Sequence, residues 1–266
     1  MRKIIFSDLD GTIINRSQNE LHEGNFEAIK KWREAGNLFV LCTGRNPIDI
    51  QPTLKVADLE YDYMVLCNGA SLYDHEGKCI FEEQFPLELG KEILKEASKN
   101  KDLLTFYCDD KQLVMSQHDD VLVIDENGDK VGNVYNQPFC KYVDDATCFR
   151  MLCFIDETGS DLLYEYQDLL LVPHQDEISW FFNTECIDIM SYGVSKGNGM
   201  ARLAEILGAD IKDIYAIGDS FNDVSMVEMA GNGCTFDYAP EVLRKRAKYI
   251  VPSIKGLIDG IMEGKF

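Results

Sequence analysis

Two acidic residues stand two positions apart near the start of the chain, in the run Asp8-Leu9-Asp10-Gly11-Thr12. Side chains at positions i and i+2 of a strand point to the same side, and Gly11 allows the backbone to turn close to a ligand. Two carboxylates placed in this way can divide their work, one acting as a nucleophile and the other in proton transfer. A β-turn with solvated acids is the plainer interpretation, but the position directly after an apolar run favours a functional pair.

A second group of polar residues lies in the run Gly218-Asp219-Ser220-Phe221-Asn222-Asp223. Asp219 follows the apolar residues 214–217, whereas Asn222 and Asp223 stand where a helix is predicted to begin. Asp219 or Ser220 could cap that helix. However, two acids and an amide within five residues exceed what a cap needs, so this run is a second candidate for the site.

Three further positions give weaker signals. Thr43 and Gly44 follow a predicted strand, where a threonine is common in any protein. Lys196 stands at the start of a predicted helix, where its charge opposes the helix dipole. A functional role is therefore favoured for Lys196 over that of an ordinary surface lysine.

The elements that must position these residues alternate along both ends of the chain. Short apolar runs predict buried strands, and they are separated by amphipathic helices at residues 25–35, 196–207 and 221–230. The predicted strands occupy residues 3–9, 38–42, 63–67 and 214–217. This alternation predicts an α/β fold with a Rossmann-like parallel sheet covered on both faces. Ligands of such sheets bind beyond the carboxyl ends of the strands, where the acids and Thr43 are expected, together with Asn68.

The middle of the chain has a different pattern. A hairpin is predicted around residues 109–110, and helices are predicted at residues 87–98 and 160–166. Further strands are predicted at residues 149–155, 169–172, 178–182 and 186–190. Residues 82–191 also contain 24 acidic and only 8 basic residues. We therefore predict an α+β domain at residues 82–191, inserted into a core domain formed by residues 1–81 and 192–266.

The composition narrows the possible partners. The chain has 26 Lys and Arg against 46 Asp and Glu, a net charge of −20, so it lacks the basic face that nucleic acid or an anionic membrane needs. No apolar run approaches the ~18 residues of a membrane-spanning helix. The apolar residues 4–6 near the start of the chain form too short a run for the core of a signal peptide. The nine cysteines form no C-x-x-C pair and are expected to be free thiols. We expect a cytoplasmic protein.

Four carboxylates close together would repel one another by about 4 kcal/mol per pair at a distance near 4 Å. Such a cluster needs a bound cation or a shift of its pKa values. The offered ligands are hard oxygens without clustered His or Cys, which favours Mg²⁺ over zinc or copper. Mg²⁺ readily takes a phosphate oxygen, while Thr43, Lys196 and backbone N–H groups near Gly11 and Gly44 could hold others. The residues therefore suit phosphoryl chemistry.

These four groups of residues, in this order, resemble the motifs of the haloacid dehalogenase superfamily. Asp8-Leu9-Asp10-Gly11-Thr12 is similar to its first motif, Thr43 to its second, Lys196 to its third, and Asp219 with Asn222 and Asp223 to its fourth. The spacing is 35 residues from Asp8 to Thr43 and 153 residues from Thr43 to Lys196. A large insertion between the second and third motifs resembles the Cof-like phosphatases, whose α+β cap (type IIB) lies there. Asn68-Gly69-Ala70 also resembles a short signature of that group.

The resemblance implies a Mg²⁺-dependent phosphatase that acts on a small phosphorylated metabolite, such as a sugar phosphate or a phosphorylated cofactor. It implies that Asp8 forms an aspartyl-phosphate and that Asp10 protonates the leaving oxygen and then activates water. Mg²⁺ would be held by Asp8, the backbone carbonyl of Asp10 and Asp219, with Asp223 as a further ligand or as a residue that orients the ligands. The phosphoryl group would be bound by Thr43, Gly44, Lys196 and Asn222.

Three alternatives stay open. A phosphomutase of the same superfamily would return the phosphoryl group to a sugar, but the middle segment is poor in the basic residues that a second phosphate needs. A receiver-type signalling module also stores an aspartyl-phosphate, but it is about half this length and has a single acid at the strand end where this chain has Asp8 and Asp10. A catalytically silent binding protein is the third, and the complete motifs disfavour it.

Overall fold

The apolar runs at the two ends of the chain come together in one sheet. The computed structural model describes residues 2–14, 22–117, 120–134, 136–183 and 185–266. Its strands are β1 (Ile4–Ser7), β2 (Leu38–Cys42), β3 (Tyr63–Leu66), β4 (Ser71–Asp74), β5 (Cys79–Glu82), β6 (Leu104–Cys108), β7 (Gln112–Gln117), β8 (Asp120–Asp125), β9 (Met151–Ile155), β10 (Ile178–Asn183), β11 (Cys186–Ser191), β12 (Ile214–Ile217), β13 (Asn232–Thr235) and β14 (Tyr249–Ile250). Its α-helices are α1 (Asn25–Glu34), α2 (Ile50–Ala57), α3 (Leu87–Ala97), α4 (Phe139–Asp145), α5 (Leu162–Tyr166), α6 (Lys196–Leu207), α7 (Val224–Met229), α8 (Glu241–Arg244) and α9 (Ile254–Met262). Among these described ranges, no helix combines the length and apolar character needed to cross a membrane.

An eight-stranded sheet has the strand order β14-β13-β12-β1-β2-β3-β4-β5. The strands from β14 to β3 pair in parallel, and β4 returns antiparallel to β3. β1, β2 and β12 are buried at every residue and consist mainly of apolar residues, as expected for parallel strands covered on both faces. The predicted parallel α/β fold is therefore confirmed.

Helices cover this sheet because its strands present apolar side chains to both sides. Met200 of α6 and Met226 of α7 join Phe6 of β1 in one apolar cluster. Ile5, which points to the opposite face, is also fully buried. α1 packs against β2 and α9, and Trp32 of α1 donates its indole N–H to a β2 carbonyl at 2.8 Å.

A close approach between backbones fixes where α6 begins. Gly69, in the turn after β3, has a φ of +110°, and a Cβ at this position would lie 2.2 Å from the carbonyl oxygen of Ser195. A Cβ at Gly199 would lie 2.7 Å from the Cα of Gly69. Only glycine at both positions allows this contact, which places Lys196, the first residue of α6, against the end of β3.

The chain divides into two compact units, and the second consists of Arg45–Pro52 and Glu82–Val194. It contains a six-stranded sheet with the order β10-β11-β9-β6-β7-β8, in which the neighbouring strands pair antiparallel. Leu152 and Phe154 of β9 share an apolar cluster with Leu94 of α3, Val143 of α4 and Leu163 of α5. The helices of this unit therefore pack on the face of the sheet to which these β9 residues point.

One predicted strand in this unit is wrong. Residues 169–172 continue α5 as a π-helical segment (Gln167–Leu171) followed by a short 3₁₀ turn. Leu163 and Leu171 are buried while Leu169 is 60% exposed, which is the pattern of one helix face. A short apolar run does not distinguish a strand from a helix by periodicity. The sequence analysis also missed β8 and α4.

We expect Gly69→Ala to destabilise the first unit, Met1–Gly44 with Thr53–Phe81 and Ser195–Phe266, by about 1–3 kcal/mol, because the new methyl group combines a positive φ with overlap on Ser195. Gly36→Ala is the matched control, since Gly36 has a φ of +84° but no atom within 4 Å of a Cβ. The free energy of unfolding from urea denaturation measures both. An equal decrease in the free energy of unfolding of the two variants would show that the contact between Gly69 and α6 does not contribute to stability.

Candidate functional site

The carboxyl ends of four neighbouring parallel strands form the edge at which the candidate site lies. These strands are adjacent in the order β12-β1-β2-β3. The parallel pairing continues one residue past the strands, because the backbone N–H of Asp8 donates to Ile217 at 2.9 Å and that of Thr43 donates to Val65 at 2.9 Å. The structure thus brings the ends of the first, second and fourth motifs to one edge, as strand order predicts.

Lys196 connects two of these strand ends. Its ammonium group donates to Asp8 Oδ1 and to Asp223 Oδ1, at 2.6 Å each, and its side chain is completely buried. Ser195 caps α6 by accepting from the N–H of Asn198 at 3.1 Å. The unfavourable position of a lysine at a helix start is therefore offset by two carboxylates.

Asp223 orders the turn that carries Asp219. Its Oδ2 accepts hydrogen bonds from the backbone N–H groups of Asp219 and Ser220, at 3.0 and 2.8 Å. A Cβ on Gly218 would lie 2.2 Å from the Asp223 carboxyl carbon, so glycine is required for this approach. Both oxygens of Asp223 are engaged by groups of the protein.

Three carboxylates converge beside the ammonium group. One oxygen from each of Asp8, Asp219 and Asp223 lies within 4.8 Å of the others. Asp8 Oδ2 is buried and has no hydrogen-bond partner among the described residues. A buried, unsatisfied carboxylate oxygen beside two further carboxylates fits a hard divalent cation such as Mg²⁺. Asp8 and Asp219 are the residues that could hold it most directly.

The charges of the cluster do not balance, and this shifts the pKa values. Burial, followed by the nearby charge of Asp223, raises the pKa of Asp8 from 3.8 to about 7, against the opposing effect of Lys196. Burial acts to lower the pKa of Lys196, but Asp223 and Asp8 outweigh it and hold that pKa above its ordinary value. Without a metal, the arrangement therefore keeps Lys196 charged and makes Asp8 easier to protonate than an ordinary aspartate.

Asp10 lies in the tight turn after β1. The N–H of Gly11 donates to Ile14 at 2.8 Å, and Gly11 has a φ of +88°. The hydroxyl of Tyr238 donates to the carbonyl oxygen of Gly11 at 2.9 Å, while its ring stacks on the buried Phe236 with centroids 4.9 Å apart. The turn that carries Asp10 is thus attached to the loop after β13.

The remaining predicted residues lie at the same edge. Thr43 is buried, and its carbonyl oxygen accepts from the N–H of Asn68 at 3.1 Å. Gly44 follows Thr43 directly and is partly buried. Asn222 is buried and donates from Nδ2 to Asn68 Oδ1 at 2.9 Å. Asn68 thus links the end of β2 to the turn after β12.

Sequence reasoning placed Asn68 at a strand end but did not count it among the site residues, and it missed Tyr238 altogether. The signal for Asn68 was present in the sequence, because an Asn-Gly pair directly after an apolar run marks a turn, and both residues adopt positive φ there. Tyr238 had no such signal, since its partner Gly11 is 227 positions away.

Comparisons with known proteins show which family the chain resembles. The sequence model of the haloacid dehalogenase-like hydrolases matches residues 5–263. The chain is 26% identical to the 5-amino-6-(5-phospho-D-ribitylamino)uracil phosphatase of Bacillus subtilis, over 99% of each chain. It is 24% identical to the pyridoxal phosphate phosphatase of Escherichia coli, over 94% of this chain and 93% of that protein. A solved haloacid dehalogenase-like hydrolase from B. subtilis has the same fold, with a TM-score of 0.79 at 19% identity over 98% of this chain and 99% of its own.

The shifted pKa of Asp8 predicts how stability depends on pH when a chelator keeps the protein free of metal. The folded-state pKa of about 7 lies above the ordinary 3.8, so the contribution of the neutral carboxyl is complete below pH 3.8 and is lost as the pH rises through about 7. The side chain of Asp8→Asn is neutral at every pH, so this variant does not lose stability in that way. We expect the free energy of unfolding of the wild type to fall relative to Asp8→Asn, by up to ~1.4 kcal/mol per pH unit.

Denaturant unfolding of both proteins at several pH values between 4 and 8 provides the measurement. Added Mg²⁺ should remove the decline in the wild type, because a cation favours the ionised carboxylate. Parallel curves for the two proteins in chelator would contradict the electrostatic account of the cluster.

Proposed function

This chain belongs to the haloacid dehalogenase-like hydrolase family, and we propose that it is a Mg²⁺-dependent phosphatase that hydrolyses small phosphorylated metabolites through an aspartyl-phosphate on Asp8. The resemblance found in the sequence and the predicted enzyme class, a phosphoric monoester hydrolase, are confirmed by the family match and the named relatives. We propose the metal, the substrate class and the roles of the individual residues.

One observation carries the proposal, namely the buried Asp8 carboxylate with one oxygen on Lys196 and the other without a hydrogen-bond partner among the described residues. A nucleophile must be held in place while one of its oxygens is available for reaction. The hydrogen bond from Lys196 holds the Asp8 carboxylate in place. The other oxygen, Asp8 Oδ2, is available to contact a cation or a phosphoryl group when either is bound.

In the first half of the proposed reaction, a carboxylate oxygen of Asp8 bonds to phosphorus while the bond from phosphorus to the leaving oxygen breaks. Asp10 donates a proton to that leaving oxygen. In the second half, Asp10 accepts a proton from water as the water oxygen attacks phosphorus, which releases inorganic phosphate and restores Asp8. The attachment of the Gly11 turn to Tyr238 supports this role, because it fixes the backbone that carries Asp10.

Mg²⁺ held by Asp8, the backbone carbonyl of Asp10 and Asp219 would supply charge neutralisation for the phosphoryl oxygens. Asp223 has both oxygens engaged by Lys196 and by two backbone amides. We therefore assign Asp223 mainly to positioning Lys196 and the Asp219 turn, of the two roles that the resemblance left open.

The phosphoryl group would be bound by groups at the same edge. Lys196 supplies the positive charge, and Thr43, the backbone N–H of Gly44 and the amide of Asn222 supply hydrogen bonds. Asn68 accepts from the Asn222 amide, so it sets which way that amide faces. These donors are placed by backbone elements, which suits a site that must be ready before the substrate arrives.

The second unit would serve as the cap that determines the substrate. Both relatives described above are named for a small phosphorylated compound, which supports a phosphorylated metabolite such as a sugar phosphate or a cofactor phosphate. The excess of acids, 24 against 8 basic residues in 82–191, disfavours a substrate with several phosphates. Nine free cysteines fit the reducing environment of the cytoplasm.

We expect wild-type protein to release inorganic phosphate from a panel of phosphorylated metabolites when Mg²⁺ is present and to lose this activity in a chelator. Asp8→Asn should lower kcat/KM at least about a thousandfold, because the residue that forms the covalent bond is lost. Asp213→Asn, an exposed acid of the same unit, is the control and should keep full activity. Phosphate release by Asp8→Asn at the wild-type rate would refute the mechanism, and phosphorylation of Asp8 without any phosphate release would favour the mutase or signalling alternatives.

Asp10→Asn should separate the two halves of the reaction. p-Nitrophenyl phosphate has a leaving group that departs without a proton, so Asp8 can still attack it. We expect a rapid burst of about one p-nitrophenol per chain and then slow turnover, because hydrolysis of the aspartyl-phosphate still needs a base. Stopped-flow absorbance measures the burst, and its absence alongside normal steady-state turnover would remove Asp10 from the mechanism.

A further inference from the structure

Two cysteines and an aspartate lie together in the sheet of the second unit, apart from the residues used above. One ligand atom from each of Cys153, Cys186 and Asp188 lies within 4.8 Å of the others. Cys153 is 1% exposed and Asp188 is 6% exposed, whereas Cys186 is partly exposed. A thiol pair beside a carboxylate is the donor set of a metal site with soft character.

The pairing of β9 with β11 produces this cluster. Cys153 lies directly opposite Asp188, and Cys186 lies opposite Ile155, two positions further along. Residues two apart on a strand share a face, so all three side chains point to the same side of the sheet. That side is opposite to the one on which Leu152 and Ile187 pack into the apolar cluster of the unit.

We propose that Cys153, Cys186 and Asp188 bind a thiophilic divalent cation of the Zn²⁺ class. Zn²⁺ takes thiolate sulfur at ~2.3 Å and carboxylate oxygen at ~2.0–2.2 Å in a tetrahedral arrangement. Two sulfurs of such a site lie about 3.8 Å apart, which falls within the 4.8 Å that bounds the ligand atoms of this cluster. Three protein ligands leave the fourth position to water or another small ligand.

The three groups already interact with one another, because Cys153 shares side-chain hydrogen bonds with Cys186 and Asp188. Cys186 Sγ has Asp188 Oδ1 as a neighbour at 4.0 Å, and Cys153 Sγ makes a long contact of 3.6 Å with the carbonyl oxygen of Phe154. Neither contact is a strong hydrogen bond. Cys186 is partly exposed, so one ligand of the cluster faces solvent.

This site is chemically distinct from the carboxylate cluster of Asp8 and Asp219. Thiolates bind Mg²⁺ poorly, and a purely oxygen-donor site is the natural place for Mg²⁺. Excess Mg²⁺ therefore occupies the carboxylate cluster and leaves the thiol site for Zn²⁺. This difference allows the two sites to be measured separately in the intact protein.

The test is a titration of the full-length, reduced protein with Zn²⁺ in competition with a chromophoric chelator, in the presence of excess Mg²⁺. We expect one Zn²⁺ per chain in the wild type. Cys186→Ser should weaken binding about a hundredfold or more, since even the outer partners of metal ligands change affinity 10–100-fold. Co²⁺ binding should give a sulfur-to-metal charge-transfer band that this variant lacks.

Two controls make the result specific. Cys140→Ser changes an exposed cysteine of the same unit and should leave Zn²⁺ affinity unchanged. Asp219→Asn should also keep full Zn²⁺ affinity. Equal Zn²⁺ affinity in the wild type and Cys186→Ser would overturn the proposal. A loss of Zn²⁺ binding in Asp219→Asn, with unchanged binding in Cys186→Ser, would also overturn it. Cys186 is partly exposed, so its variant tests the site even where Cys153→Ser does not fold.

Discussion

The buried ammonium group of Lys196 is the interaction on which the candidate site depends. It joins Asp8, which follows β1, to Asp223, the last residue of the fourth motif. Removing one partner of a buried ion pair costs about 3–5 kcal/mol, because the other charge is left uncompensated. This contact requires α6 to begin close to the sheet edge, and the glycines at positions 69 and 199 allow it to do so. The close approach of the backbone at these glycines is therefore a condition for the buried ion pairs of the site.

The same cluster carries more negative charge than Lys196 balances. Three carboxylates lie within 4.8 Å of one another, and the pKa of Asp8 is raised first by burial and then by the charge of Asp223. The protein can relieve this imbalance with a proton or with a divalent cation. A cation relieves it while leaving Asp8 ionised, which is the state that a nucleophile needs. The electrostatic cost of bringing these carboxylates together and the affinity of the cluster for a metal thus have one physical origin.

Much of this was predictable from the sequence, because the carboxyl ends of parallel strands converge by topology. Asp8, Thr43 and Asp219 follow strands that are neighbours in the sheet, so their proximity follows from the fold class alone. The bond between Asn222 and Asn68 joins residues 154 positions apart, and no local pattern predicts its geometry. The strand predicted at residues 169–172 is wrong for another reason. Its apolar residues fit strand and helix patterns equally well, and the packing of Leu171 in the apolar cluster decides between the two.

The two units also differ in the kind of donor that they offer to a cation. The first gathers hard carboxylate oxygens around a lysine, and the second gathers two thiols and one carboxylate on adjacent strands. Affinity alone would send Zn²⁺ to either site, since most ligand sets bind it more tightly than Mg²⁺. In the first site, however, the ammonium group already neutralises part of the carboxylate charge and occupies one oxygen each of Asp8 and Asp223, which lowers its attraction for any cation. The proposed thiol site is therefore the better Zn²⁺ ligand of the two, whereas the carboxylate cluster suits Mg²⁺.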